Sequence, residues 1–175
     1  MKNYCVYDCI IGKLQIVTEE DCLLEIRFEK DIDHKKENNI DNPTINKVKR
    51  YLDNYFKNKI IDIDFNLKPQ GSTYQEKVWP LLLKIPYSKT VCYKYIKEKY
   101  ESLYSLKTSA RAIGKAISKN PIPIIIPCHR VIGSNGSLTG YAGGLNNKVI
   151  LLNHEKSWPK SAFWIHYCAK ATSLL

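Results

Sequence analysis

The stretch NPIPIIIPCHRV, Asn120–Val131, decides how the second half of the chain is built. Pro121, Pro123 and Pro127 each fix their own φ and push the preceding residue out of the helical region, so the segment is expected to be extended and stiff. Three prolines remove ladder hydrogen bonds, which argues against an interior strand. Ile124, Ile125 and Ile126 are in turn too apolar for an exposed loop. A rigid, largely buried connector therefore delivers Cys128, His129 and Arg130. Cys128 has two readings at this point: a small hydrophobe filling a core, or a nucleophile held still by its chain. In purely apolar surroundings a thiol has a raised pKa and is inert, whereas a neighbouring base or cation favours the thiolate. His129 and Arg130 are the adjacent candidates. Successive side chains of an extended chain point to opposite faces, so a base there would act through a water or a turn in the backbone.

Upstream, KTSARAIGKAISKN (107–120) has the spacing of a short helix capped by Thr108 or Ser109. Arg111, Lys115 and Ser118/Lys119 share one stripe with small Ala110 and Gly114 beside it, while Ile113, Ala116 and Ile117 face a core. With TVCYKYIKEKY (90–100) before it, this is the pattern of a helix-turn-helix, and equally of two packed helices with a solvated basic face. TYQEKVWPLLLKI (73–85) reads as a further helix with Val78, Trp79, Leu82 and Leu83 inward; Pro80 either kinks it or marks an N1 position. Downstream, IGSNGSLTGYAGGLNNK (132–148) is a flexible hairpin or pocket wall that lacks the residue order of a phosphate-cradling loop. KVILLNHEK (148–156) is a final helix with Glu155 near its end.

The first part of the chain has another texture. YCVYDC (4–9), KLQIVTE (13–19) and CLLEIRF (22–28) alternate as short strands of an antiparallel meander. The polar HKKENNIDNP (34–43) reads as a loop. TINKVKRYLDNYFKNK (44–59) carries Ile45, Val48, Tyr51, Leu52, Tyr55 and Phe56 at helical spacing, with Thr44 as N-cap after Pro43. KPQGS (68–72) interrupts both patterns and marks a boundary. Charge changes there too: residues 1–70 hold 12 basic and 13 acidic side chains, residues 71–175 hold 15 and 4. The whole excess of the +10 formal charge thus lies in the second part. A solvated basic surface accounts for this, as does a surface that meets a phosphate backbone.

A chain of 175 residues buries a core without disulfide staples. Its six cysteines lie far below the density of a disulfide scaffold, so reduced thiols and an intracellular chain are expected. Cys5, Cys9, Cys22, Cys92 and Cys168 lack zinc-ligand spacing and read as ordinary thiols. No run reaches the roughly 20 apolar residues of a membrane span.

Taken together, IPCHRV, ARAIG, Asn120-Pro121 and Pro123, GYAGG (140–144) and LLNHE (151–155) resemble the O6-alkylguanine-DNA alkyltransferases, the methylated-DNA-protein-cysteine methyltransferases. The resemblance is strong over residues 71–156 and looser over LDNYFKNK and the meander. It implies an α+β protein. Residues 1–70 would form an antiparallel β-sheet with a helix, ribonuclease H-like, and residues 71–156 a mostly helical, winged-helix-like domain with a helix-turn-helix. The tail 157–175 has no counterpart.

The resemblance also implies a cast. Cys128 is the alkyl acceptor, His129 its base through a water, Glu155 the group that orients the histidine, and Asn120 a brace for the turn. Tyr93 helps rotate the nucleotide and hydrogen-bonds the leaving guanine. Arg111 enters the base stack, with Ala110, Ala112, Gly114 and Lys115 against the DNA. Pro123, Val131, Tyr141 and Ala142 line the base pocket. The implied partner is double-stranded DNA containing O6-alkylguanine and, with lower reactivity, O4-methylthymine. No cofactor, metal or membrane is implied. The protein would be a monomer in the cytoplasm, or in the nucleus if eukaryotic. Departures from the family pattern are a longer KYESLYSLKT turn (99–108), Pro80 after Val78-Trp79, and Ser88 where glycine is common. A lesion-binding module without transfer and a cysteine hydrolase are the rival classes.

Overall fold

The computed structural model describes residues 1–36 and 42–157. The loop expected over 34–43 lies partly outside them; the tail 157–175 beyond Ser157, and Cys168 with it, lies wholly outside. Contacts divide the chain into a unit spanning Met1–Gln70 and a second that begins at Gly71.

In the first unit, β1 (Lys2–Cys9), β2 (Gly12–Glu19) and β3 (Cys22–Phe28) pair as two antiparallel hairpins with two-residue turns. Glu20 takes the left-handed φ of 53° that such a turn demands. As the middle strand, β2 is buried on both faces, with Leu14, Ile16 and Thr18 on one and Gln15 and Val17 on the other. Buried Gln15 is satisfied by the Asp33 backbone: its Nε2 donates to Asp33 O at 2.9 Å and its Oε1 accepts from Asp33 N at 3.1 Å. α1 (Pro43–Phe56) buries Ile45, Val48, Leu52 and Tyr55. Its N-cap is Asn42 rather than Thr44. Asn42 Oδ1 accepts from Thr44 N and Ile45 N, and Pro43, which has no N–H to satisfy, stands at N1. The sheet also has a member the meander reading lacks: β4 (Asn66–Leu67) adds to β3 in parallel. Two residues are too few for a periodic signal.

The second unit is mostly helical: α2 (Thr73–Leu83), β5 (Val91–Cys92), α3 (Tyr93–Tyr104), α4 (Ala110–Ser118), β6 (Val131–Ile132) and α5 (Leu145–His154). Ser72 and Gln75 close a capping box on α2, so Pro80 is not at N1. It sits exposed inside an unbroken helix, where it removes the bond to the Glu76 carbonyl. Inward from α2 come Val78, Trp79, Leu81 and Leu82; Leu83, expected there, is 42% exposed. Trp79 Nε1 donates to Ala116 O at 3.0 Å and fixes α2 on α4. A Cβ at Gly71 would stand 2.4 Å from the Trp79 ring, so a bare backbone is required there.

α3 and α4 are joined by residues 105–109, with Ser105 left-handed at φ 54°. Much of the long KYESLYSLKT turn is therefore the last turns of α3. Ser109, whose Oγ accepts from Ala112 N at 3.1 Å, caps α4. Ile113, Ala116 and Ile117 are buried and Arg111, Lys115, Ser118 and Lys119 exposed, as their spacing requires. β5 pairs in parallel with β6, which sets the start of α3 beside the chain that follows Cys128.

Candidate active site

The proline segment is not extended. Ile126 N reaches back to Ile122 O at 2.9 Å, Cys128 N to Ile126 O at 2.8 Å and Arg130 N to Pro127 O at 3.0 Å, and Ile124 stands at φ +72°. The prolines restrict the chain as expected, but these bonds wind it into successive tight turns ending in a 3₁₀ turn at Cys128–Arg130. A β-branched residue at positive φ is costly, and burial of Ile122, Ile124, Ile125 and Ile126 stabilises it. Asn120 closes the structure. Its Oδ1 accepts from Ile122 N at 3.0 Å, and its Nδ2 donates to Ile126 O at 2.8 Å and to Cys128 Sγ at 3.1 Å. Both amide hydrogens and the oxygen are used, so the side chain has one orientation. Cys128 is 4% exposed. Burial pushes its thiol up to about 11, opposed by the Asn120 bond and by the charge of Lys148.

The 3₁₀ turn also settles where His129 and Arg130 go. Both converge on Glu155, which follows α5 and is fully buried. His129 Nε2 lies 2.8 Å from Glu155 Oε1. Arg130 Nε donates to Oε2 and Nη2 to Oε1, both at 2.9 Å, and its Nη1 donates to Ile85 O at 2.7 Å. Burial works against the carboxylate, yet the His129 and Arg130 bonds hold Glu155 down at about 2. An ionised carboxylate only accepts, so His129 Nε2 carries the proton. Burial lowers the histidine's own pKa, leaving it neutral with a bare Nδ1, a buried atom without a hydrogen-bond partner among the described residues. Arg130 is thereby spent on Glu155. The cation acting on the thiol is Lys148, which sequence adjacency did not suggest.

Lys148 on α5 is 1% exposed. Its Nζ donates to Val131 O at 2.7 Å and Thr139 O at 3.1 Å, and burial lowers it to about 8. The only sign in the sequence was a lysine in register with Leu151 and Leu152, the buried side of α5. Ser88, which replaces the expected glycine, does take the left-handed φ of 60°, and its Oγ donates to the Glu155 carbonyl.

Tyr93 opens α3 and lies close enough to Cys128 for the thiolate to raise its pKa, after burial, the larger cause. Tyr141 is raised well above its usual value by burial, with Cys128 and Glu155 adding to it. Pro123 and Val131 are buried; Ala142 is exposed. Asn120, Cys128, His129, Glu155, Tyr93 and Tyr141 thus form one cluster. Ala110 and Arg111 lie at the exposed start of α4, with Lys115 exposed one turn on and Ala112 half-buried. Gly114, half-buried, faces Tyr93: a Cβ there would be 3.6 Å from the tyrosine ring.

A buried cysteine on an asparagine-braced turn, followed in the chain by a histidine bonded to a buried glutamate, is thus carried by an α+β protein of two units. Residues 3–69 match the ribonuclease-like domain, and residues 73–157 the DNA binding domain, of 6-O-methylguanine DNA methyltransferase. The chain belongs to that family. A methylated-DNA–protein-cysteine methyltransferase of Methanosarcina acetivorans is 36% identical over 160 residues, covering 88% of this chain and 98% of the relative. The crystal structure of Mycobacterium tuberculosis O6-methylguanine methyltransferase is 35% identical and superposes with a TM-score of 0.77, over 92% of this chain and 97% of that one. The M. tuberculosis OGT in complex with DNA gives 34% and 0.77, over 93% and 98%.

Proposed function

We propose that this protein repairs DNA by moving a methyl or other small alkyl group from O6 of guanine, and less efficiently from O4 of thymine, onto Cys128. The observation that carries the reading is the bond from Asn120 Nδ2 to Cys128 Sγ, on a turn whose next residue presents a bare, buried imidazole nitrogen. A thiol near 11 is protonated at rest, so a base must take its proton as attack begins. His129 Nδ1 does this through a water. Ionised Glu155, bonded to Nε2, stabilises the imidazolium that forms. Asn120 and Lys148 stabilise the thiolate. Sulfur displaces guanine at the alkyl carbon in line: the S–C bond forms, the C–O6 bond breaks, and the electron pair stays on the base. Tyr93 donates a hydrogen bond to the departing guanine.

The lesion reaches the pocket by flipping out of the duplex, at a cost of a few kcal/mol. Arg111 enters the stack behind it. Ala110, Ala112 and Gly114 let the backbone approach, Lys115 meets phosphate, and Pro123, Val131, Tyr141 and Ala142 line the pocket. Among the described residues no group beside Cys128 would break the thioether's C–S bond, so on this reading each molecule reacts once; a monomer that needs no cofactor or metal suffices for the chemistry. On this reading the protein works in the compartment that holds the DNA. No helix of the described residues is long and apolar enough to cross a membrane.

Incubation with a duplex containing one O6-methylguanine is expected to add one methyl mass to the peptide bearing Cys128. Label on another residue, or binding without loss of methyl from the DNA, would sink the proposal. Arg111→Ala is expected to slow transfer from duplexes by about tenfold or more and from single strands much less, since only a duplex leaves a stack to fill. Equal slowing of both would argue against a wedge.

A further inference from the structure

Thr139 has no role so far, yet its hydroxyl donates to Tyr93 Oη at 3.0 Å. Its position is not free. The Thr139 carbonyl accepts from Lys148 Nζ, the buried ammonium that also holds Val131 O, three residues beyond Cys128. The loop is thereby tied to the chain that carries the nucleophile. Tyr93 is fixed at its other points, by the start of α3 and by the ring's place over Gly114. What remains adjustable is where the phenolic proton points.

A phenol has one proton to give and lone pairs to receive. With Thr139 filling a lone pair, the proton of Tyr93 is directed elsewhere, and a hydroxyl that accepts a bond becomes a stronger donor in turn. We infer that Thr139 is a positioning residue for alkyl transfer, aiming the Tyr93 proton at the departing guanine. This rests on the role proposed for Tyr93. Tyr93 shares its proton without losing it. The proton that leaves Cys128 through His129 ends on the guanine, so the reaction balances as thiol plus alkylated base to thioether plus base.

The test is single-turnover transfer by the full chain from an O6-methylguanine duplex, with Thr139→Val, Thr139→Ser, Tyr93→Phe and the Tyr93→Phe/Thr139→Val double variant. Thr139→Val is expected to be about tenfold slower, the worth of one hydrogen bond felt in the transition state. Thr139→Ser restores the rate to within about twofold, because the donor returns. In the Tyr93→Phe background the valine has no further effect. Thr139 is exposed, so duplex affinity and thermal midpoint are expected to stay unchanged. The inference is overturned by a parental rate in Thr139→Val, by failure of serine to rescue, by the same tenfold loss on top of Tyr93→Phe, or by a matching loss of duplex affinity. Failure of the Tyr93 role itself reads differently: Tyr93→Phe alone would transfer at the parental rate.

Discussion

Replacing Cys128 with serine is expected to abolish transfer, by on the order of 10⁴-fold or more, and to leave affinity for a methylated duplex unchanged. A hydroxyl is close in size to the thiol it replaces and still accepts from Asn120 Nδ2, so the turn keeps its bonds. What it lacks is acidity. The structure already holds the thiol up at about 11, and an alcohol in the same apolar position is harder still to ionise. The measurement pairs methyl loss from the DNA with a binding titration. A large loss of binding would contradict the proposed separation of roles, with the turn to react and α4 to meet the DNA. Salt is expected to weaken both proteins alike, since the phosphate contact proposed for Lys115 lies outside the proposed pocket.

The elements that could be read from sequence are those whose signal is repeated along the chain. Alternation gave β1, β2 and β3, and helical spacing gave α1, α2, α4 and α5, with the inward face of α4 placed residue by residue. β4 escaped because two residues hold no period, and Asn42 escaped because Pro43 at N1 puts the cap two places earlier than a threonine-first reading. Leu83 and Leu81 exchanged places since a run of three leucines leaves the face of the helix undetermined. At the site, the prolines indicated stiffness but not path. Whether a restricted chain runs straight or turns depends on hydrogen bonds, here from Asn120 and between Ile122 and Ile126, that no local propensity records. Arg130 looked like the partner of the thiol because it is two residues away. In space it belongs to Glu155, 25 residues on. Lys148, the charge the thiol does feel, gave no signal beyond its register in an apolar helix.

Glu155→Ala is expected to be the most damaging single change to folding, costing about 3–5 kcal/mol, because it leaves the Arg130 guanidinium buried without its counter-charge and His129 without its acceptor. The charge itself can be separated from the shape. Glu155→Gln keeps the volume and removes the ionisation, and its effect should depend on pH. The Glu155 carboxyl stands at about 2 in the folded chain, below the ordinary value of roughly 4.3 that it regains on unfolding. A depressed carboxyl favours the folded state fully above the unfolded value, and that contribution fades as pH falls from about 5 through 2. Denaturant unfolding between pH 7 and 3 should therefore show a steeper loss of stability in the parent than in Glu155→Gln. Parallel slopes would mean that another acid carries the effect. Pairing Glu155→Leu with Arg130→Met supplies the second half of the argument: with no charge left unmatched, the double change should cost clearly less than the two single losses added together. A fully additive result would show that the two side chains are held by their surroundings and not by each other, and Glu155 would then lose its standing as the group that fixes both the turn and the tautomer of His129.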